Sequence, residues 1–412
     1  MFNQEKLFTA ALMLQEPLYV ENIHFDATLG ELHIYINFRK GAKFKCPECG
    51  AENLSVHDTV DKVWRHLNFF QYKAFIHFRT PRTECPEHGV RMVRVPWSAP
   101  GSGFTLLFEA LVLQLAQVMP MKQVAELLGE HDTLLWRILN RYVDEAREAA
   151  DYSQITKVGI DETSYRRRHS YVTLFVDMVK TQVVHVVEGK DAGTITSFRR
   201  MLQSKSIKPT QITDFSADMS VPFRRGLQYE FPWANVTYDK FHVIKLMNEA
   251  LDKVRRQEQS EESILKHSRY LWLSNAKNLK ASQKEKLMGL SQMNLKTARA
   301  YRLKLALQEV YLQSNDKTEA MRLMSEWYRW AVRSRLEPIK EFAKTVKSNW
   351  AGILNYFDSK LTNAVLESIN SIVQSARNRA RGYRNVKTFT TMIYLLGGRL
   401  NLEIRNGLTH SI

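Results

Sequence analysis

The segment VGIDETSYRRRHSYVTLFVDM, residues 158–178, has the residue pattern from which the fold class is predicted. A short apolar run leads to Asp161, a run of arginines follows, and alternating apolar residues then resume. This alternation predicts two half-buried strands joined by a charged connection. The charged residues have two interpretations: a turn with solvated side chains, or a metal-holding carboxylate beside cations that bind phosphate.

The pattern continues on the C-terminal side of this stretch. Strand-like segments, VVHVVEG, QITDFSAD and NVTYD, alternate with helical ones, ITSFRRMLQ, a helix from about Ser220 and a helix over 240–256. Three meander strands followed by alternating helix and strand predict an α/β fold, in which a mixed sheet carries helices on its faces. Residues 257–348 show only polar helical spacing, which predicts an all-helical insertion.

Acidic residues stand where the predicted strands end. Asp161 ends the first strand and Asp218 the fourth, and these two strands are neighbours in an RNase H-like sheet. A third acid, Glu367, lies in NAVLESIN on the final helix. Two Asp and one Glu can hold two Mg²⁺ ions about 3.5–4 Å apart, which suits hydrolysis or transfer at a phosphodiester. The sequence therefore predicts these three acids as catalytic residues.

Other assignments of these acids stay open. Asp214, four residues before Asp218, is the second metal ligand if the strand ends earlier, and Asp239 is a further rival. Asp161 can instead cap a turn, and Glu367 can belong to a solvated helix face.

Two cysteine knuckles of the same form precede the sheet. CPECG supplies Cys46 and Cys49, and CPEHG supplies Cys85 and His88. Zinc takes four soft or borderline ligands in tetrahedral geometry, and a CxxC pair on a tight turn supplies two of them from one side. The four residues use every cysteine of the chain and predict one structural Zn²⁺. The alternative is ordinary buried cysteines.

MKQVAELLGEHDTLLWRILNRY, residues 121–142, has the spacing of a helix-turn-helix. Ala125 allows close helix approach, Gly129 permits the left-handed turn, and Leu135 is a core position. Residues 133–141 would be the recognition helix. The side chains predicted to face a DNA groove are Trp136, Arg137, Asn140 and Arg141. The alternative is an ordinary helical hairpin.

Net charge points to the same class of partner. The formal charge of +16 and a pI near 9.6 attract a polyanion, of which nucleic acid is the commonest. The N-terminus has no secretory signal pattern, and no apolar run of about 18 residues occurs. Three cysteines cannot form a closed disulfide set, so we expect a soluble cytoplasmic protein.

Three blocks of the chain carry a resemblance to a known family. GIDETSYRRRHSYVTLFVDM, the segment from ADMSVPFRRG through YDKFHV, and TNAVLESINSIVQSARNRARGYRN together resemble bacterial insertion-sequence transposases of the ISL-three family. The likeness extends to the CPECG knuckle and the helix-turn-helix, and it is specific in DMS, YDKFHV and NAVLESIN. It implies a DDE transposase whose RNase H-like domain is interrupted by a helical insertion, with Asp161, Asp218 and Glu367 as the triad.

The resemblance has further implications for site and partners. Asp239 and His242, in DKFH, would be accessory residues that contact DNA or position a metal ligand. The second knuckle differs from the family's usual cysteine-rich form in ending with His88. Such an enzyme uses two Mg²⁺ ions, for which Mn²⁺ can substitute. Its partners are double-stranded DNA, as terminal inverted repeats and target, and a second copy of the chain, since two ends must be held together. It would act at the bacterial nucleoid.

Cations follow two of the predicted acids. One set would lie on the hairpin after the first strand, where it could hold the DNA backbone or form a solvated turn: Arg166, Arg167 and Arg168. A second set follows Glu367 and makes the stronger case for a DNA-tracking surface: Arg377, Arg379, Arg381 and Arg384.

The predicted organisation has five parts. They are a zinc-binding module (1–100), a helix-turn-helix domain (101–150), the first part of the catalytic domain (151–256), the helical insertion (257–348) and the last part of the catalytic domain (349–412). The leading hypothesis is a transposase that nicks element ends and joins them to target DNA. Two alternatives are a DNA-binding regulator with an inactive RNase H-like domain and a metal-dependent nuclease without strand joining.

Overall fold

The computed structural model describes residues 3–166, 170–361 and 364–402. They form two compact units, the first extending through the N-terminal part to Glu148 and the second covering Ala149–Leu400. The five-part division predicted from the sequence is finer, and its boundaries stay a prediction. Within the described ranges no helix is both long and apolar enough to cross a membrane.

A five-stranded sheet forms the centre of the first unit. Its strands are β1 (Leu18–Asp26), β2 (Glu31–Phe38), β3 (Val56–Phe69), β4 (Tyr72–Cys85) and β5 (Gly89–Met92). Their order is β1-β2-β4-β3, with β5 also paired to β4, and only β2 and β4 run parallel. Burial alternates along β2, because Leu32, Ile34 and Ile36 are buried and their neighbours are not.

Four helices complete the first unit: α1 (Gln4–Ala11), α2 (Leu106–Val118), α3 (Met121–Leu128) and α4 (Asp132–Ala149). The turn after α3 is at Gly129, whose φ of 66° lies in the left-handed region that glycine adopts most readily. Ala125 and Leu135 are buried as predicted. The second helix of the pair is longer than the predicted 133–141, because the apolar spacing continues through Val143 and Ala146.

Arg65 on β3 joins the sheet to these helices. Its side chain is 4% exposed, and its Nε lies 3.0 Å from Glu130 Oε1. Its Nη2 donates to the carbonyl of Leu128 at 3.4 Å. The guanidinium also stacks on two rings, 5.5 Å from the centroid of Phe75 and 5.2 Å from that of Phe108. One buried cation thus satisfies acceptors from both the strands and the helix-turn-helix.

We expect Arg65→Met to destabilise the first unit by about 3–5 kcal/mol, because it leaves Glu130 and buried carbonyls without their donor. Hydrogen exchange of the full chain, followed on peptides from residues 1–148, measures this. Arg79→Met is the matched control, since Arg79 is an exposed arginine on β4 that bonds only to Thr59 among the contacts described. Equal protection in the two variants would contradict the role given to Arg65.

The second unit is built on another five-stranded sheet. Its strands are β6 (Lys157–Arg166), β7 (Ser170–Asp177), β8 (Gln182–Glu188), β9 (Asp214–Ala217) and β10 (Asn235–Tyr238). The order is β10-β9-β6-β7-β8, with an antiparallel β6-β7-β8 meander and with β9 and β10 parallel to β6. The first strand therefore neighbours the fourth, and the predicted RNase H-like fold class is confirmed.

Helices cover both faces of this sheet. On one face, α5 (Gly193–Ser204) and α6 (Val221–Glu230) pack with an aromatic core that includes Phe175, Phe198 and Phe215. On the other lie α14 (Ala364–Arg379) and α15 (Val386–Gly397), which follow the helices described next. Gly159 on β6 permits the close approach of α14, because a Cβ there would lie 2.8 Å from a methyl carbon of Leu366.

A helical block separates β10 from α14. Its members are α7 (Lys240–Glu258), α8 (Arg269–Leu273), α9 (Ala281–Gln292), α10 (Lys296–Gln313), α11 (Lys317–Val332), α12 (Glu337–Ser348) and α13 (Trp350–Ser359). They share one apolar core, in which Trp272 and Trp327 are buried. Helices alone were predicted for 257–348, and the described residues there form helices.

Candidate active site

Three aspartates end up side by side because three parallel strands are in register. Gly159 on β6 pairs with Ser216 on β9, so Asp161 and Asp218 each stand two residues beyond a paired position. Ala217 on β9 pairs with Tyr238 on β10, so Asp239 stands one residue beyond its pair, level with Asp218. The sheet therefore places three carboxylates at one edge, just beyond the residues that pair in parallel on β6, β9 and β10.

The prediction that Asp161 ends its strand is wrong in one respect. β6 continues to Arg166, because its antiparallel pairing with β7 extends through Arg166 and Ser170. What ends near Asp161 is the parallel pairing with β9, whose last pair is Gly159 with Ser216. Asp161 thus lies inside a strand that is still held on one side, which fixes its backbone more firmly than a strand terminus would.

Hydrogen bonds hold both oxygens of the Asp161 carboxylate. Oδ2 accepts from Nδ2 of Asn370 at 2.5 Å, and Oδ1 accepts from the backbone N–H of Glu162 at 2.7 Å. Burial raises the pKa of Asp161, and the negative charges of Asp218 and Asp239 raise it further against the opposing effect of the Glu162 N–H and of His242. The site thus brings several carboxylates close together in a partly desolvated environment, which favours a bound cation.

Asp239 is the most deeply buried of the three acids, at 1% exposure. Its Oδ2 lies 3.3 Å from Nδ1 of His242, and this hydrogen bond raises the pKa of the histidine. Its Oδ1 is buried without a hydrogen-bond partner among the residues that the structure describes. Buried carboxylate oxygens are rarely left unpaired, so this atom suits a ligand to a hard cation.

Asp218 and its rival Asp214 lie at opposite ends of β9. Asp218 accepts from the backbone N–H of Ser220 at 3.0 Å, just before α6 begins. Asp214 is the first residue of β9 and accepts from the hydroxyl of Thr213 at 2.7 Å. Four residues of strand separate the two acids by about 13 Å. This placement favours Asp218 as the acid near Asp161, although its role as a metal ligand stays a prediction.

Glu367 lies in the first turn of α14, where its side chain is exposed. One turn later, Asn370 bonds to Asp161, and further along the helix Gln374 bonds to the hydroxyl of Thr163. The helix therefore runs alongside β6, with Glu367 at the end that approaches the acidic edge. Its assignment as the third catalytic acid stays a prediction.

Asn370 is a residue that the sequence reasoning missed. It lies three positions after Glu367 and four before Gln374, so the three side chains project from neighbouring positions on one side of α14. This polar row on an otherwise apolar helix face was the signal that could have identified it. The carbonyl oxygen of its amide is buried without a hydrogen-bond partner in the described part of the chain. Two orphaned oxygens thus lie in the surroundings of Asp161, one from Asn370 and one from Asp239.

The donor set suits a divalent cation with a preference for oxygen. Asp161, Asp218 and Asp239 bring carboxylates to this edge of the sheet, and Mg²⁺ takes oxygen ligands and keeps places for water and phosphate. Burial raises the pKa of Asp161, and the negative charges of Asp218 and Asp239 add to this effect; a bound cation would favour the ionised carboxylates.

The four predicted zinc ligands also come together, in the first unit. Their ligand atoms all lie within 4.8 Å of one another: Cys46, Cys49, Cys85 and His88. The Sγ atom of Cys85 lies 3.7 Å both from Sγ of Cys49 and from Nδ1 of His88. Tetrahedral ligands at the Zn–S distance are about 3.8 Å apart, so the cluster fits zinc. The neighbouring His88 lowers the pKa of the Cys85 thiol to about 6, which favours the thiolate that zinc requires.

The predicted DNA-binding residues differ in their surroundings. On α4, Arg137 is exposed and Asn140 half-buried, whereas Arg141 donates to the buried carboxylate of Glu109 at 2.6 Å. Arg141 therefore helps to hold α4 on α2, and its contact with DNA stays a prediction. Arg166 is the last residue of β6, and Arg167 and Arg168 lie outside the described residues.

The second basic set begins on α14. Arg377 donates to the Ser164 carbonyl at 2.5 Å, which fastens the helix to β6. The side chains of the other three are exposed: Arg379, Arg381 and Arg384. Exposed arginines in this position remain accessible to a DNA backbone.

Family models match three parts of this chain. A DDE-type ISL3 model described as transposase matches residues 158–393, and a model of the helix-turn-helix domain of transposase family ISL3 matches residues 93–143. A third, the zinc-finger of transposase IS204/IS1001/IS1096/IS1165, matches residues 42–88. The three matches follow the order of zinc cluster, helix-turn-helix and acidic sheet edge.

Named relatives agree with these matches. The transposase for insertion sequence element IS1557 of Mycobacterium tuberculosis is 27% identical over 442 residues, covering 97% of this chain and 98% of that protein. The transposase for IS1001 of Bordetella parapertussis is 29% identical over 360 residues, covering 84% of this chain and 86% of that protein. Among solved structures, the Drosophila P element transposase strand transfer complex covers 74% of this chain and 94% of that chain at 13% identity, with a TM-score of 0.40 that is too low to bear on fold or function. Because the transposase model alone spans more than half of its length, the chain belongs to the ISL3 family of DDE transposases.

Proposed function

We propose that this DDE transposase cuts and joins the ends of its own insertion sequence with two divalent cations held by Asp161, Asp218 and Glu367. The observation that carries the proposal is the register of β6 and β9, which sets Asp161 level with Asp218. The hydrogen bond from Asn370 to Asp161 adds to it, because it ties the helix of Glu367 to the same edge. Mg²⁺ suits an all-oxygen site, and Mn²⁺ can replace it.

Two such cations, when bound, activate the attacking oxygen and stabilise the leaving oxygen of a phosphodiester. The residues of the chain prepare the site for this exchange. Asn370 orients the Asp161 carboxylate, and His242 orients Asp239 beside it. Water attacks a phosphodiester at the element end, and the 3′-oxygen leaves as a 3′-OH while the phosphate stays on the other fragment. That 3′-OH then attacks a phosphodiester of target DNA at the same carboxylates, and the target's own 3′-oxygen leaves.

The rest of the chain would select and hold the DNA. The zinc module (1–100), with one structural Zn²⁺ in its Cys₃His cluster, and the helix-turn-helix (101–150) would bind the terminal inverted repeats. The two catalytic segments (151–256 and 349–412) flank the helical insertion (257–348). A homodimer follows from the need to hold two ends together. Such an enzyme acts where its DNA is, in the cytoplasm and at the nucleoid.

The test is cleavage of labelled DNA that carries the element's own ends, in Mg²⁺, beside a duplex of equal length with scrambled ends. We expect nicks at the element boundary that leave 3′-OH groups, followed by products joined to target DNA, and neither on the scrambled duplex.

Two results would reject this function and favour a named rival. End-specific binding without any cleavage, in Mg²⁺ and in Mn²⁺, indicates a DNA-binding regulator. Cleavage of both duplexes alike, without joined products, indicates a nuclease.

A further inference from the structure

A groove of about 660 Å³ follows one side of α7 and is closed by α8. It begins at Phe241, which lies between Asp239 and His242 in sequence, and it extends along the helix to Arg256. Fifteen residues of helix span about 22 Å. The groove therefore starts at the acidic sheet edge and continues away from it along the helical block.

The groove is positively charged. It is lined by four cations, Lys245, Lys253, Arg256 and Arg269, against the carboxylates of Glu249 and Asp252. One of these acids is already occupied, because Asp252 is 7% exposed and forms ion pairs with three arginines. A polyanion entering the groove would meet a net excess of cations.

Two of the three arginines around Asp252 remain accessible. The side chains of Arg256 and Arg269 are 64% and 54% exposed, and each meets Asp252 through its Nε, at 3.5 and 3.4 Å. A guanidinium has five N–H donors in a fork that matches phosphate oxygens. Asp252 thus orients both groups at one end only, which leaves the geometry suited to a phosphate.

Exposed aromatic rings also lie at the groove, one at its start and one under Arg269. The ring of Phe241 is 52% exposed at the start of the groove, and Tyr270, 72% exposed, lies beneath the guanidinium of Arg269 at 5.7 Å. Cations that track a backbone together with exposed rings on which bases stack are the features of surfaces that bind a DNA strand.

We propose that this α7–α8 groove binds the DNA strand that leaves the candidate active site, with Arg256 and Arg269 on its phosphates and Phe241 against a base. The proposal rests on the proposed placement of the active site at Asp161 and Asp218. It adds a DNA-binding surface separate from the helix-turn-helix and from the basic residues that begin on α14. Its ligand class is a phosphodiester backbone with at least one unpaired base.

The test measures affinity for an element-end DNA, in Ca²⁺ to prevent cutting, over a series of salt concentrations. We expect Arg256→Gln with Arg269→Gln to weaken binding about tenfold and to lower the slope of log K against log salt by about 2, one phosphate contact per arginine. Arg302→Gln with Arg333→Gln removes the same charge from exposed positions outside the groove and should leave the slope unchanged.

A second pair of substitutions controls for loss of folding, because Arg256 and Arg269 also form ion pairs with the buried Asp252. Lys245→Gln with Lys253→Gln changes two exposed groove cations with no ion pair to Asp252 in the described contacts, and it should lower the slope in the same way. Slopes equal to that of the Arg302 and Arg333 control in both groove pairs would overturn the proposal.

The failure of this proposal is distinguishable from failure of the catalytic one. Nicking of the same DNA in Mg²⁺ is measured on the same preparations. If the wild-type protein binds but never nicks, the active-site assignment is rejected, and the proposed path of the strand is rejected with it. If the wild-type protein nicks normally while both groove pairs keep the wild-type slope, only the groove proposal is rejected.

Discussion

Asp161→Asn and Asp218→Asn should each reduce end-specific nicking by about 10³-fold or more, equivalent to at least about 4 kcal/mol of activation free energy. Asparagine keeps the size of the side chain and one oxygen but removes the charge that a divalent cation requires. The fold should be preserved, because both aspartates follow strand positions fixed by backbone pairing. The measurement is the nicking rate on element-end DNA in Mg²⁺, with affinity for the same DNA measured in Ca²⁺. Glu367→Gln should behave in the same way.

Asp214→Asn is the matched control for this series. Asp214 lies at the far end of β9 and pairs with Thr213 and Asn235, so its neutralisation should leave nicking close to wild type. A large loss in this variant, with full activity in Asp218→Asn, would exchange the roles of the two residues. If Asp218→Asn cuts and Asp239→Asn does not, the second metal ligand is Asp239.

The shared edge of Asp161 and Asp218 could be predicted because it depends mainly on strand order. Once the stretch around Asp161 is a strand in a mixed sheet, its parallel neighbour must bring the following aspartate to the same edge. The extent of β6 could not be predicted, since it depends on pairing with β7 beyond Asp161. Residues 161–166 carry charged and polar side chains that are typical of a turn, and the pairing overrides that preference.

Side-chain contacts between elements that are distant in sequence could not be predicted. Asn370 and Asp161 are 209 positions apart, and only the packing of α14 on β6 brings them together. Arg65 has the same character, because an arginine in an alternating strand is typical of a solvent-facing position. Its burial depends on Glu130 and two aromatic rings from other elements. Arg141 shows the converse, a predicted groove-facing residue whose partner is a buried glutamate.

The clustering of Cys46, Cys49, Cys85 and His88 could be predicted because its geometry is encoded locally. Each knuckle is a tight turn that ends in a glycine with positive φ, 73° at Gly50 and 67° at Gly89. Two such turns, carried by neighbouring parts of one sheet, have few ways to place four ligand atoms. Only the pairing of β4 with β5, which closes the second knuckle, had to come from the structure.

Removal of zinc should unfold the knuckle region while the second unit stays intact. Structural zinc contributes about 10–16 kcal/mol of apparent binding free energy in small zinc-finger peptides, and this region has little apolar core of its own. We expect a zinc-selective chelator to remove one ion per chain and to abolish hydrogen-exchange protection over the two knuckles, residues 42–55 and 85–92, which contribute no residue to the apolar core of the first unit. Protection of the sheet over residues 157–238 should not change. Metal analysis and hydrogen exchange of the full chain in excess Mg²⁺ measure both effects.

Two histidine variants test whether His88 is a zinc ligand. His88→Ala should lower the zinc content of the chain, whereas His57→Ala changes a nearby histidine that is not a ligand. His57 lies on β3 and contacts Asp58 instead of the cluster, so its loss should leave the zinc content at one per chain. Zinc should also be lost more readily as the pH falls, because protons compete for the thiolates and the imidazole; with the Cys85 pKa at about 6, that competition grows as the pH approaches this value. A His88→Ala protein that keeps its zinc with the affinity of His57→Ala would show that the histidine lies beside the ion without binding it. The fourth ligand would then have to be water or another residue, and an open coordination position belongs to a reactive zinc site more than to a structural one.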